Sequence, residues 1–323
     1  MGCQVRNTEF VWVRNMHRIA VLTSDLTKDW ASSELLDAVN RLATGSAIDP
    51  LTIDMRVDGG ASLIAGGESL YGYDAFIMRG FNRDGETDYQ YEILELLEGK
   101  GKLVVNSPAA LSLAESKAQT TFCFQEAGIP VPRTTVTHSV KAAREALADY
   151  GKAVLKPLYG SQGADMEIVS SVNADEILPA FLEKHRVIYM QEFIENNGRD
   201  IRAFVVGDEV PGAIYRVASE GQWRTNVAQG GSAHACVLSA ELRDLCVEAT
   251  RTAGLEYTGV DIIEGQDGPM VLEVNGAPWW KGLLQATGRN VAVDIVRHVI
   301  RLLEARKPAR QPNVWHDKQM AIT

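Results

Sequence analysis

Gly259-Val260-Asp261 and Leu272-Glu273-Val274-Asn275 each place an acid inside a strongly apolar run. A carboxylate in such a run is costly unless it is paired or bound to a metal. Side chains alternate along a strand, so Glu273 and Asn275 share one face. Asp261, Glu273 and Asn275 are thus three hard oxygen donors. They suit Mg²⁺, which keeps waters and bridges to substrate phosphates. The plainer alternative is a pair of strand-end carboxylates capping turns, and the recurrence of the pattern in two segments weighs against it.

Three further segments carry groups that could meet a nucleotide. In the first, Val154-Leu155-Lys156-Pro157 runs into Leu158-Tyr159-Gly160-Ser161-Gln162-Gly163. Here a lysine leaves a strand and a glycine-containing loop follows. Glycines let backbone N–H groups approach phosphate oxygens, and the lysine adds a point charge. No Gly-Lys-Ser/Thr follows, so this is not a Walker A loop. Alone it reads equally as a hairpin turn with a surface lysine. The second is Tyr189-Met190-Gln191-Glu192-Phe193-Ile194, with Asp200-Ile201-Arg202 behind it. Its backbone could meet a purine edge and its carboxylates a ribose, although taken singly an ordinary strand with an exposed Glu192 explains it better. The third comprises Arg216, Trp223-Arg224-Thr225-Asn226 and Gly230-Gly231. Arginine supplies planar, always-charged donors to phosphates. Solvated arginine on a hairpin is the usual fate of such residues.

The elements that must position these groups fall into two halves. Ile19-Ala20-Val21-Leu22 marks a buried strand over Arg18–Thr23, and Leu35, Leu36, Val39 and Leu42 give Ser32–Leu42 helical spacing. Leu51–Val57 alternates like a strand, Ala75–Arg79 and Leu103–Asn106 are strands, and Tyr89–Leu97 is helical. Strands alternating with helices predict a parallel α/β lobe over 1–106. Ser107–Gly128 reads as a helix pair, and Ile129-Pro130-Val131-Pro132 is a connector. From Ala153 the chain is rich in hairpin-like strand pairs: Ala153–Lys156, Met166–Ser170, Val187–Phe193, Ile201–Val206, Gly212–Val217, Val260–Glu264 and Met270–Asn275. That half is expected to be α+β and largely antiparallel, divided into 107–190 and 191–307. Val291, Ile295, Val299 and Leu302 fit one face of a closing helix, and 308–323 is a tail.

Composition excludes some functions. Against 32 basic residues stand 42 acidic ones, a net charge of -10, which argues against a general basic surface for nucleic acid. Cys3, Cys123, Cys236 and Cys246 have no C-x-x-C spacing, and the six histidines form no H-E-x-x-H pair. Reduced thiols are the expectation, with neither a disulfide framework nor a zinc site. No run is long enough for a signal peptide or a membrane span, so a cytoplasmic protein without membrane partners is expected.

Taken together and in order, these motifs resemble the ATP-grasp superfamily, and within it the RimK-like α-L-glutamate ligases. The match runs in register from about Ser107 to Ile300. It includes Lys117, Lys156-Pro157, Gly160-Ser161-Gln162-Gly163, Asp200-Ile201-Arg202-Ala203-Phe204-Val205-Val206-Gly207-Asp208 and the metal-type segments. The resemblance implies an ATP-grasp fold behind an N-terminal α/β pre-ATP-grasp domain. It makes Lys117, Lys156 and Arg224-Thr225-Asn226 phosphate contacts. Gln191, Glu192, Phe193 and Ile194 would be the adenine segment, and Asp200 a nucleotide-contacting acid. Asp261, Glu273 and Asn275 would hold Mg²⁺ or Mn²⁺, as two ions, and Arg202, Arg216 and Arg224 are candidates for holding an acyl phosphate.

The implied reaction joins an amine, L-glutamate or another amino acid, to a small-molecule or peptide carboxylate at the expense of ATP. Met78-Arg79-Gly80 and Val105-Asn106-Ser107-Pro108 are closer to the branch acting on a tetrahydromethanopterin-type acceptor; modification of a ribosomal protein tail is the other family role. Two departures stand out. Asp165 replaces a glycine of the loop, and Trp279-Trp280 follows the metal segment, where the pair could stack on a ring-bearing acceptor or one ring could pack in the core. A phosphotransferase that stops after phosphorylation, and a non-catalytic nucleotide binder, are the competing classes. The retention of both lysines and all three metal-type residues disfavours the latter. A homo-oligomer is possible on general grounds.

Overall fold

The computed structural model describes residues 17–82, 84–159, 165–219, 221–225 and 230–306. The loop residues Gly160, Ser161, Gln162 and Gly163, together with Asn226, Cys3 and the expected tail, lie outside the described residues.

The N-terminal lobe is built from β1 (Arg18–Leu22), α1 (Trp30–Leu42), β2 (Thr44–Ile48), β3 (Ile53–Val57), β4 (Ala61–Ala65), β5 (Glu68–Ser69), β6 (Ala75–Met78), α2 (Thr87–Gly99) and β7 (Leu103–Val105). Its main sheet has the order β2-β1-β6-β7, every pair parallel, as the alternation of elements predicts. Ile19, Val21, Ala75 and Ile77 face one side, whereas Ala20, Leu22, Phe76 and Met78 face the other. A sheet covered on both faces demands continuous apolar strands, which is why β1 and β6 stand out in the sequence. The expected strand Leu51–Val57 is corrected. Pro50–Thr52 is a 3-10 turn, and β3 joins β4 and β5 in a separate antiparallel sheet. The parallel strand is β2 instead, an edge strand whose Thr-Gly-Ser start lacks the apolar signature.

The helix pair follows as α3 (Pro108–Glu115) and α4 (Lys117–Glu126). Ser107 caps α3 by accepting from the Ala110 amide, with Pro108 in the first turn. Ser116 then ends α3 and caps α4 by accepting from Gln119. Lys117 is thereby fixed as the first residue of α4.

Next come β8 (Thr134–Thr137), α5 (Val140–Tyr150), β9 (Lys152–Lys156), β10 (Glu167–Ser170), α6 (Ala174–His185) and β11 (Ile188–Glu192). They form an antiparallel sheet in the order β10-β9-β11-β8. Leu155, Val169 and Met190 pack beneath α5 and α6 with Leu147, Leu178 and Phe181. Alternation therefore turns Lys156 and Gln191 to the opposite face.

The last sheet contains β12 (Arg199–Val206), β13 (Glu209–Val217) and β14 (Ser232–Cys236), then, after α7 (Ala240–Thr252), β15 (Tyr257–Gly265) and β16 (Gly268–Asn275). Its order is β14-β13-β12-β15-β16, all antiparallel. Ile201, Ala203, Val205 and Val260 pack with Cys246 and Ala249 of α7 on one face. On the other, Phe204, Val206 and Ile214 join a core with α8 (Lys281–Thr287) and α9 (Ala292–Ala305). Val291, Ile295 and Val299 are buried as predicted, and Leu302 is half-buried against the same core.

Of the two readings of Trp279-Trp280, stacking on an acceptor or packing of one ring in the core, the second holds for Trp280. It is fully buried, its ring centroid lies 5.7 Å from that of Trp30, and its indole N–H donates to Asn290 at 3.0 Å. Trp279 is exposed.

Asn106 ties the lobes together. Its amide donates to the carbonyls of Tyr257 at 2.8 Å and Gly276 at 2.6 Å, and its oxygen accepts from the amide of Glu256 at 2.7 Å. Removing a fully bonded buried amide leaves backbone groups unsatisfied. Asn106→Ala is therefore expected to lower unfolding free energy by about 2–4 kcal/mol, measured by urea denaturation.

Candidate active site

Strand register gathers the charged residues on one face of the last sheet. Asp200 lies opposite Arg216, Arg202 opposite Asp261, Asp261 opposite Glu273, and Gly259 opposite Asn275. Arg216 grips Asp200 through Nε and Nη2, both at 2.7 Å, and its Nη2 also lies 2.9 Å from Asp261 Oδ2. Arg202 makes a second two-pronged pair with Asp261, through Nε and, at 2.6 Å, through Nη2. The Thr225 hydroxyl donates to Asp200 at 2.5 Å. Burial pushes the Asp261 carboxyl up, but Arg202 and Arg216 outweigh it and hold the group at about 2. Burial likewise works against the charge of Arg216, and Asp261 and Asp200 reverse it, raising its pKa.

The register between β15 and β16 shifts at Asp261/Ile262, leaving Leu272 as an extra residue. A bulge re-aims side chains locally, and here both Leu272 and Glu273 turn into one cavity. Glu273 stands beside Asp261, its partner in the β15–β16 register. Three carboxylates thus face two guanidiniums. The hard-oxygen set Asp261 and Glu273, with Asn275 nearby, fits a divalent cation. Asn275 donates its amide N–H to the Gly259 carbonyl at 3.3 Å, leaving its oxygen as the donor for a metal. Among the described residues no three His, Cys, Asp or Glu side chains cluster as a metal site; a cation here would take a third donor from the amide.

Lys156 forms the opposite wall. Its ammonium donates to Gln191 Oε1 at 2.5 Å, and Gln191 is braced by Tyr189 and Thr134. Burial brings the Lys156 pKa down to about 8, with Glu273 pulling it up and Lys117 pushing it further down. Burial lowers Lys117 too, against the pull of Glu273.

The structure reassigns several expected contacts. Glu192, expected to be available to a ribose, is gripped by Arg133 at 2.6 and 2.8 Å. The amides of Glu192 and Phe193 donate to the carbonyls of Arg133 and Lys152. Arg202 and Arg216, expected to hold an acyl phosphate, are paired with carboxylates through Nε and Nη2; Arg216 lines the cavity and Arg202 is not among the residues that do. Arg224 does line it. One of its nitrogens reaches the Met166 carbonyl, and its buried Nε has no hydrogen-bond partner among the described residues. Asp165 takes a positive φ of 55°, a backbone conformation that Asp tolerates and glycine favours; that accounts for its exchange with glycine.

Two cavities meet here. The first, about 120 Å³, lies between the two antiparallel sheets, with Lys156, Asp200, Arg216, Arg224, Thr225 and Asp261 in its wall beside the segment Gln191–Ile194. Val154, Ile263 and Leu272 give it apolar sides. The second, about 430 Å³, opens toward the N-terminal lobe and carries Asn275. Lys117 and Glu273 line both. Sequence reasoning missed Arg133 and Met166. Arg133 alone left a trace, as the cation closing the proline connector before β8.

A RimK-like ATP-grasp domain model matches residues 114–299, more than half of the sequence. The chain belongs to the RimK-like ATP-grasp family. It is 35% identical to a tetrahydromethanopterin:alpha-L-glutamate ligase of Methanosarcina acetivorans, across 89% of this chain and all of that protein. It is 37% identical to a probable alpha-L-glutamate ligase of Vibrio vulnificus, across 70% of this chain and 76% of that one. The ATP-grasp ligase PsnB, solved with its minimal precursor, shares the fold with a TM-score of 0.72 at 23% identity, covering 89% of this chain and 99% of PsnB. The expected family, fold and ligase class of this ATP-grasp protein are borne out on these grounds. Among its described residues no helix is long and apolar enough to cross a membrane.

A lysine titrating at about 8 makes anion binding depend on pH. Lys156 is charged below that value and neutral above it, so a phosphate bound beside it would be attracted only on the acid side. ADP affinity is expected to fall by up to about tenfold per pH unit above 8, measured by calorimetry, with the dependence flattened in Lys156→Met.

Proposed function

We propose that this protein is an ADP-forming carboxylate–amine ligase, with ATP in the first cavity and the substrate to be activated in the second. The observation that carries the reading is the junction of the two cavities at Lys117 and Glu273. A carboxylate entering from one side and a γ-phosphate from the other converge there. Apolar Val154, Ile263 and Leu272 suit a purine, and the cationic end of Lys156 and Arg224 suits a triphosphate.

A substrate carboxylate oxygen attacks the γ-phosphorus, and the bond to the β-bridging oxygen breaks to release ADP. The amine nitrogen then attacks the acyl carbon, the C–N bond forms, phosphate leaves with the C–O electron pair, and the nitrogen loses its proton. Lys156 and Lys117 hold the phosphates in line, and Arg224, whose Nε is unpartnered among the described residues, is the arginine best placed to join them. Arg202 and Arg216 act at one remove, fixing Asp261 and Asp200. Mg²⁺ or Mn²⁺, as two ions held by Asp261, Glu273 and Asn275, would supply positive charge to the transferring phosphoryl group.

The names of the archaeal and bacterial relatives support L-glutamate as the amine. The Methanosarcina relative supports a pterin-like small-molecule acceptor, and PsnB, solved with a precursor, supports a peptide acceptor.

ADP release from Mg-ATP with L-glutamate and a panel of acceptors, read with mass spectrometry of products, tests the proposal. A condensed product that needs ATP, amine and acceptor together is the expected result. ADP release without an amine would indicate a phosphotransferase instead. Glu273→Gln removes one metal charge without changing side-chain size, and should cut turnover at least about a thousandfold while leaving the circular dichroism spectrum unchanged.

A further inference from the structure

Tyr189 and Gln191 occupy alternate positions of β11 and share the face that carries Lys156. In the register of the sheet Tyr189 lies directly opposite Lys156, whereas Gln191 lies opposite Val154 on one side and Thr134 on the other. The Lys156 ammonium reaches past the tyrosine and donates diagonally to Gln191 Oε1 at 2.5 Å. Gln191 is 2% exposed and Tyr189 1%, so the polar atoms of both need partners within the protein.

The lysine sets the direction of the bonds that follow. An ammonium only donates, so Gln191 turns its oxygen to Lys156 and its amide nitrogen donates onward. That nitrogen reaches the hydroxyls of Thr134 and Tyr189, each at 3.3 Å. The Thr134 hydroxyl passes its own proton to the Pro132 carbonyl at 2.8 Å. The Tyr189 hydroxyl, whose pKa burial raises, keeps its proton and lies 2.8 Å from the hydroxyl of Thr121. Thr121 stands on α4, one turn after Lys117. The chain Lys156–Gln191–Tyr189–Thr121 thus runs from β9 through β11 to the helix that opens with Lys117. Packing needs only the tyrosine ring, and apolar residues at these positions would bury no amide or hydroxyl. The polar chain is better explained by its cationic end.

We propose that Gln191, Tyr189 and Thr121 are positioning residues, whose hydrogen bonds moor the Lys156 ammonium to α4 and so fix where it stands relative to Lys117. This rests on the reading of the two lysines as phosphate holders. A lysine has a long, flexible stem, and holding its head in place before the phosphate arrives removes an ordering cost from binding. The Gln191 side chain, expected in the adenine segment, then serves the phosphate end of the site.

Calorimetric titration of the full chain with Mg-ADP, on the acid side of pH 8 where Lys156 is charged, tests this. Tyr189→Phe deletes one hydroxyl and keeps the ring, and Thr121→Val deletes the other partner of the same bond. Each should weaken Mg-ADP binding about three- to tenfold, and the double variant should lose no more than the worse single, because all three break one link. Lys156→Met should weaken binding at least about tenfold, and adding Tyr189→Phe to it should change affinity less than about twofold. A tyrosine that only supports packing would weaken binding equally with or without Lys156. Thr121 is half-buried on a helix, and Thr121→Val in the Lys156→Met background repeats the test should Tyr189→Phe not fold. Losses that multiply in the double variant, or that persist undiminished without Lys156, would overturn the proposal. Tyr189→Phe and Thr121→Val binding as tightly as wild type, beside a loss in Lys156→Met, would sink this proposal alone. No loss in Lys156→Met would sink it together with the phosphate reading of that lysine.

Discussion

The buried ion-pair chain Thr225–Asp200–Arg216–Asp261–Arg202 is the constraint on which the rest of the site depends. Ionised groups taken from water into a sheet face must be matched by charge and geometry, or they neutralise. Here the match is bidentate on both sides, so Asp261 stays ionised at the centre of the sheet. Such pairs add little stability relative to well-packed apolar residues, yet breaking one costs about 3–5 kcal/mol. Their presence on the one face where two sheets oppose each other is better explained by chemistry than by folding. The arginines hold Asp261 in a fixed position and charge state, and the bulge at Leu272 swings Glu273 beside it.

That fixed face needs a second wall, and the chain supplies it through backbone logic. Two serine caps in sequence, Ser107 and Ser116, end one helix and begin the next so that Lys117 stands at a helix start facing Glu273. Strand alternation in β9 and β11 does the same for Lys156 and Gln191. Burial lowers both lysines, so their positive charge is held at some cost, which an anion bound beside them would relieve. Asn106 and Arg79 then pin the segment after β16 to the N-terminal lobe, through the carbonyls of Gly276 and Pro278. The second cavity therefore has a wall from each lobe.

Much of this was legible in the sequence because each feature breaks a local rule. Acids inside apolar strands marked Asp261 and Glu273, and a lysine leaving a buried strand marked Lys156. The two-face burial of β1 and β6 made them plain, whereas β2 and β14, polar edge strands, carried no such pattern. What stayed hidden was pairing across distance. Nothing local shows that Glu192 belongs to Arg133, that Arg202 belongs to Asp261, or that Trp280 turns inward to Trp30 while its neighbour stays exposed. Those partners are fixed by sheet register and by the docking of α1 and α9, which bring together residues far apart in sequence.

The central claim is that a carboxylate crosses from the second cavity to meet the γ-phosphate at Lys117 and Glu273. The most direct measurement follows oxygen. The acid that supports amine-dependent ADP release is enriched in ¹⁸O at its carboxylate, and the released phosphate is analysed by mass spectrometry. The account predicts that each phosphate carries one ¹⁸O taken from the acid, because the acyl C–O bond breaks when the amine attacks. Phosphate free of the label would contradict it, since the carboxylate would never have been phosphorylated.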